Sequence, residues 1–210
     1  MKLARRSAVI TTASAAAAFF VFTALPAAAQ SWFGDGNSVY DREVVTFSKK
    51  YSPGQIIVSF GDRKLYHITR RGRAVSYPIA VPRKQSRWQG VLRISQKRTN
   101  PSWTPTSTMR RENPKLPTFV PGGHPRNPLG VRALYLGSTL YRIHGTDAPW
   151  TIGQNVSKGC VRMHNDHVVE LYRKVRVGTK VTATWKRYGT NSYASASSGG
   201  SGQPSWNPFQ

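Results

Sequence analysis

The chain has a single cysteine, Cys160, in the stretch Ser157-Lys158-Gly159-Cys160-Val161-Arg162-Met163. Sixteen positions earlier stands His144, in Tyr141-Arg142-Ile143-His144-Gly145-Thr146. A thiol with a histidine in reach is the minimum for nucleophilic catalysis: the imidazole takes the proton and the sulfur attacks a carbonyl. Gly159 lets the chain turn sharply beside the sulfur. The amides of Gly159 and Cys160 could face the oxygen of a tetrahedral intermediate. Arg162, Lys158 and a helix starting just after the cysteine would favour the thiolate. Two plainer readings compete, a small buried thiol and a hydrogen-bonded structural histidine. A metal site drawn from Cys160, His144, His164 and His167 matches no zinc spacing, and the last two fall at a predicted helix start.

Such residues need elements to hold them. Residues 55–60, 64–69 and 74–81 are apolar, β-branched or alternating, and the turns Gly61-Asp62-Arg63 and Arg70-Arg71-Gly72 separate them, which predicts an antiparallel meander. Residues 88–94, 133–136, 139–144 and 180–186 are further predicted strands, the third ending at His144. One helix is predicted after the cysteine, with Asn165 as N-cap, Asp166 in its first turn, and Val168, Leu171, Tyr172 and Val175 on one face before Gly178. Residues 97–132 are rich in Pro, Gly and Asn, yet Trp103, Met109, Leu116, Phe119 and Val120 are spread through them. That composition predicts an ordered lid or groove wall.

The ends read differently. Residues 1–29 combine Lys2, Arg5 and Arg6, an apolar run to Leu25 and a small-residue site at Ala27-Ala28-Ala29, the pattern of a secretory signal peptide. An uncleaved membrane anchor is the alternative. Residues 30–43 read as a linker, 44–187 as one domain, and 188–210 as a flexible Ser/Gly-rich tail. The net charge of +23, which falls to +20 once the three leader cations are removed, suits acidic surroundings. In an exported chain these are an acidic envelope polymer rather than nucleic acid, for which no binding motif is present. One cysteine excludes a disulfide framework.

The segments His144-Gly145-Thr146, Gly153, Ser157-x-Gly159-Cys160-Val161-Arg162-Met163, Asp166 and Leu171-Tyr172 together resemble the signature of the L,D-transpeptidase (YkuD-like) catalytic domain. Val120-Pro121-Gly122-Gly123, Asn127-Pro128-Leu129-Gly130, Arg132-Ala133-Leu134-Tyr135-Leu136-Gly137 and Trp103-Thr104-Pro105 extend the resemblance to envelope members of that family, over roughly residues 44–184. It implies a mainly β fold: an antiparallel twisted sheet, β-sandwich or barrel-like domain with one short helix after the catalytic cysteine. It implies Cys160 as nucleophile and His144 as general base, oriented by the carbonyl of Gly145. Gly159, Arg162 and Ser157 would make the substrate and oxyanion contacts.

The substrate so implied is a peptidoglycan stem peptide. Cys160 would attack the L-centre carbonyl of its third residue, typically diaminopimelate, and expel the terminal D-Ala. An amine would then resolve the thioester, giving a 3→3 cross-link or attaching an envelope lipoprotein or outer-membrane protein. No metal or organic cofactor is needed, and no nucleic acid or lasting membrane anchor is involved; the location would be the periplasm or cell envelope. With water as acceptor the protein would be an L,D-carboxypeptidase, and without turnover a peptidoglycan-binding protein. Two positions depart from the family: Lys158, where many relatives have His, and Pro82, where glycine is common. Arg162 would either grip a stem-peptide carboxylate or pair with Asp147 or Asp166.

Overall fold

A computed structural model describes residues 41–189. The predicted signal peptide, nearly all of the linker and nearly all of the tail lie outside the described residues. In chain order the strands are β1 (Glu43–Thr46), β2 (Ile56–Ser59), β3 (Lys64–Arg70), β4 (Arg73–Pro78), β5 (Val81–Pro82), β6 (Gly90–Thr99), β7 (Arg132–Leu136), β8 (Arg142–His144), β9 (Asn155–Ser157), β10 (Val161–Arg162) and β11 (Lys180–Thr184). Helix α1 (Ser107–Glu112) follows β6, and α2 (Asn165–Lys174) follows β10.

Nine strands make one sheet in the order β1-β4-β3-β2-β11-β6-β7-β8-β10, while β5 and β9 pair separately. The predicted meander is present as β2-β3-β4, antiparallel throughout. The sheet as a whole is mixed rather than antiparallel, because β2 pairs with β11 and β8 with β10 in parallel. Parallel neighbours cannot be joined by a hairpin and need a crossover. Between β8 and β10 that crossover contains a 3-10 turn at Pro149–Thr151 and strand β9. The order ends on β1 and β10, so the sheet does not close into a barrel.

Alternation along the meander places apolar groups on both of its faces. Ile56, Val58, Leu65, Val75 and Tyr77 enter the main core with Ile94, Leu134, Ile143, Val161, Met163 and the buried face of α2. Ile57, Tyr66, Ile68 and Ala74 point the other way, onto Val45 and Phe47. Each such side chain contributes roughly 1.5–3 kcal/mol by leaving water. Tyr188, the first residue of the predicted tail, packs on this second face: its hydroxyl meets that of Tyr51 at 2.8 Å and its N–H donates to Asp62 at 3.0 Å.

Strand β6 links the two halves of the sheet. Gly90 to Arg93 pair with β11, and Ile94 to Thr99 pair with β7 across a register shift between Ile94 and Gln96. The strand starts beyond Trp88, which is therefore free for another task. The segment after β6 is ordered, as its apolar content predicts. Trp103 and Val120 exchange backbone hydrogen bonds of 2.9 and 2.8 Å. Buried Asn127 donates to the carbonyls of Pro101 and Pro121 at 2.8 and 3.1 Å. A second helix, α1, adds to the one expected; Thr106 caps it by accepting from the Met109 N–H at 3.2 Å.

Helix α2 ends where Lys97 of β6 donates to the carbonyls of Tyr172 and Val175 at 2.7 and 2.6 Å, placing a cation at the negative pole of the helix dipole. Its N-cap is His164, not Asn165, and makes no side-chain cap bond. Asn165 is the first helical residue, and its side chain reaches across to another loop. Among the described residues no helix is long and apolar enough to cross a membrane.

Candidate active site

The parallel pair β8–β10 brings the predicted residues together. Ile143 stands opposite Val161, and His144 opposite Arg162. Alternation sends Ile143 and Val161 into the core and turns Arg142, His144 and Arg162 to the opposite face, while Cys160 directly precedes β10. The strands are pinned on their flanks: the Met163 N–H donates to the His144 carbonyl at 2.8 Å, and Ala80 exchanges hydrogen bonds of 2.9 and 3.2 Å with Arg162.

His144 is buried, and its Nδ1 lies 2.6 Å from the carbonyl oxygen of Gly145. Burial, the Arg162 guanidinium and, more weakly, that of Arg142 push this imidazole down to about 3, against the opposing pull of the Gly145 carbonyl. The ring is therefore neutral and carries one proton. A carbonyl can only accept, so that proton sits on Nδ1 and Nε2 keeps its lone pair. This is the tautomer a general base requires.

The loop that carries Gly145 is held by Asn165. Its Oδ1 accepts from the Thr146 N–H at 3.0 Å and, at 3.4 Å, from Val131, while its Nδ2 donates to the Thr146 carbonyl at 2.8 Å. A Cβ at Gly145 or at Gly130 would collide with the Asn165 side chain. Two glycines thus make room for one amide that fixes the partner of the histidine.

Cys160 is half-buried, in a turn between β9 and β10. Its thiol reaches the Leu140 carbonyl at 3.6 Å. Burial pushes this thiol up, and the N–H and guanidinium of Arg142, with a lesser contribution from Arg162, offset only part of that. The expected lowering by a helix start does not operate, because β10 and His164 separate the sulfur from α2. Lys158 does not serve the thiol either: it forms an ion pair with Glu112 of α1, which ties the Pro/Gly-rich wall to the cysteine turn. The resting pair is thiol and imidazole, not thiolate and imidazolium.

The turn itself is stapled from both sides. The Ser157 hydroxyl donates to the Cys160 carbonyl at 2.6 Å and accepts, at 3.4 Å, from the Gly159 N–H. The Trp88 indole donates to the Gly159 carbonyl at 2.8 Å. Trp88 also stacks on Tyr141, with ring centroids 4.4 Å apart and planes 5° from parallel. Gly159 has φ +123°, and a Cβ there would run into the Tyr141 ring. Because a trans peptide directs its N–H opposite to its C=O, capture of the Gly159 carbonyl by Trp88 turns the Cys160 N–H away from the indole. Pro82, the second departure, lies at the β5–β9 register shift, and a 3-10 turn at Lys84–Ser86 then delivers Trp88.

Arg162 pairs with neither Asp147 nor Asp166; it donates to Thr151 Oγ1 at 2.7 Å, with Asp147 acting on it only through space. Arg142, Trp88 and Asn165 are functional neighbours that residue spacing alone did not bring forward. Arg142 had one available signal, since it shares a strand face with His144 at a separation of two.

A neutral histidine on one strand of a mixed, mainly β sheet and a cysteine directly before the neighbouring strand are the features set beside known proteins. The model of the L,D-transpeptidase catalytic domain, YkuD, matches residues 53–182, and the chain belongs to that family. Over 133 residues it is 40% identical to the protein named probable L,D-transpeptidase ErfK/SrfK of Escherichia coli K12, covering 60% of this chain and 42% of that one. It is 38% identical over 133 residues to the probable L,D-transpeptidase YbiS of the same strain, covering 60% and 43%. The chain thus spans less than half the length of these relatives. A solved structure described as a probable carnitine operon oxidoreductase caia from Brucella melitensis is 40% identical, covers 68% of this chain and 92% of that one, and has a TM-score of 0.47.

Proposed function

We propose that the protein is an exported cysteine transpeptidase of the cell envelope that acts on peptidoglycan tetrapeptide stems, residues 1–29 being its signal peptide. The observation that carries this reading is the neutral His144, with Nδ1 committed to Gly145, at the end of β8 beside the strand that Cys160 directly precedes. As the sulfur attacks the carbonyl of the third stem residue, the thiol proton passes to His144 Nε2. The oxyanion forms beside the Cys160 N–H, which the Trp88–Gly159 contact orients; Gly159 and Ser157 shape this turn. His144 returns the proton to the departing D-Ala amine, leaving a thioester on Cys160. An acceptor amine attacks that thioester, loses its proton to His144, and the thiol is restored. The acceptor is a diaminopimelate amine of a neighbouring stem, giving a 3→3 cross-link, or a lysine of an envelope lipoprotein or outer-membrane protein.

Bond energy retained in the thioester drives the second step, so the cycle closes without ATP, metal or organic cofactor. Family membership and the acylation geometry support the reading together; the strongly basic surface supports contact with an acidic wall. The test is incubation of the mature protein with tetrapeptide muropeptides, followed by mass spectrometry. Cross-linked dimers with free D-Ala are the expected products. Tripeptides alone would make the protein an L,D-carboxypeptidase, and unaltered tetrapeptides a wall-binding protein.

A further inference from the structure

Two guanidiniums flank the nucleophile, and neither makes a direct ion pair among the described residues; Asp147 acts on Arg162 only through space. Register places Arg162 opposite His144, and the Arg142 N–H meets the Cys160 thiol. Arg142 Nη1 donates at 2.9 Å to the Leu140 carbonyl, the same oxygen that the Cys160 thiol reaches, and its guanidinium lies 4.8 Å from the Tyr135 ring centroid. Arg162 is held by Thr151. The Nε of each arginine is buried and has no hydrogen-bond partner. Neither residue belongs to any ion pair among the described residues.

Half-buried cations without a direct ion pair are costly, and a guanidinium fork matches a carboxylate in a paired, bidentate way. From the geometry we infer that Arg142, with Arg162, forms a carboxylate clamp beside Cys160 and selects substrates that carry a carboxylate next to the scissile amide. This inference rests on the acyl-transfer reading above. On a stem peptide the carboxylate has two possible sources, the free C-terminus of the leaving residue and the side chain of the donor residue. Either, once docked, offsets the two cations that face His144 and eases its passage through the imidazolium form.

The experiment uses synthetic tetrapeptides that differ in one group: a free C-terminus or its amide, and a donor side-chain carboxylate or its carboxamide. Binding is measured by calorimetry on Cys160→Ala protein, with Arg142 intact, replaced by Gln, or replaced by Lys. One carboxylate-to-amide change weakens binding about 10- to 100-fold when Arg142 is present. That penalty shrinks to less than about threefold in Arg142→Gln and is partly restored in Arg142→Lys. The arm that shows the coupling identifies the carboxylate.

An equal penalty with and without Arg142, or no penalty on either arm, overturns the clamp. The peptide change alone needs no variant, so a poorly folding Arg142→Gln protein does not protect the idea. Turnover of the same peptides by the unaltered chain reports separately on the acyl-transfer reading. A protein that never acylates but keeps the coupling overturns that reading and upholds the clamp.

Discussion

The two ends of the nine-stranded sheet solve opposite problems. The β1–β4–β3–β2 end pairs antiparallel, and both of its faces are covered by apolar groups such as Ile57, Tyr66 and Leu65, all fully or almost fully buried. The β7–β8–β10 end is apolar on one face only. On the other, two arginines, a histidine and a thiol are crowded together, with Asn165, Ser157 and Trp88 spending their hydrogen bonds on the backbone around them. Both ends share the main core through Leu134, Ile143 and Val161, but only the second also carries the reactive groups on its other face. Substitutions at the two ends should therefore separate stability from turnover.

The largest effect expected is on stability. Ile57→Ala, at the meander end, should cost about 2–5 kcal/mol in chemical denaturation and leave kcat/KM per folded molecule within about twofold. If Ile57→Ala depressed turnover as strongly as stability, the division of labour would be lost. At the other end, Asn165→Ala should cost about 1–3 kcal/mol of stability and lower kcat/KM about 10- to 100-fold, because the loop presenting the Gly145 carbonyl loosens. The informative readout is kcat, which should fall more than KM rises. Trp88→Phe keeps the stack on Tyr141 and deletes only the indole N–H. It should lower kcat by about tenfold, equivalent to about 1.4 kcal/mol, with the melting temperature little changed.

The smallest effect per step is the pH dependence of folding. Burial holds His67 and His167 below the usual range, and His144 down to about 3. In each case the unfolded chain binds the proton more readily than the folded one, so stability rises with pH and is lost as pH falls below about 6.5. Thermal melts between pH 7 and 4 should show that loss, and His144→Gln should flatten it by up to about 1.4 kcal/mol per pH unit. The slope left in His144→Gln is shared by His67 of the meander and His167 of α2, and His67→Gln in the same background isolates the share of the first end.

Legibility in the sequence follows the same division. Short apolar or alternating runs in residues 55–81, separated by Gly61-Asp62-Arg63 and Arg70-Arg71-Gly72, revealed the meander, because each of its strands pairs with a neighbour one short turn away. Cys160 stood out as the single cysteine, and His144, one of five histidines, by its glycine-punctuated turn at the end of a predicted strand. The parallel pairing that joins them was not legible, since β8 and β10 are only three and two residues long and carry no period of their own. For the same reason Arg142 went unremarked. Asn165 read as an N-cap because it precedes the apolar period, but its amide is used across the fold instead. Trp88 read as the start of a strand, yet its indole is spent on Gly159. The expectation of a lowered thiol failed because it counted nearby cations and left out the cost of burial.

The central claim is that Cys160, deprotonated by a neutral His144, is acylated by a peptidoglycan stem. Intact-protein mass spectrometry during turnover of a tetrapeptide muropeptide, with peptide mapping of the adduct, tests it most directly. The account predicts a tripeptide acyl adduct on Cys160, absent from Cys160→Ala and formed far more slowly by His144→Gln. An adduct on another residue, or cross-linking that survives in Cys160→Ala, would contradict it.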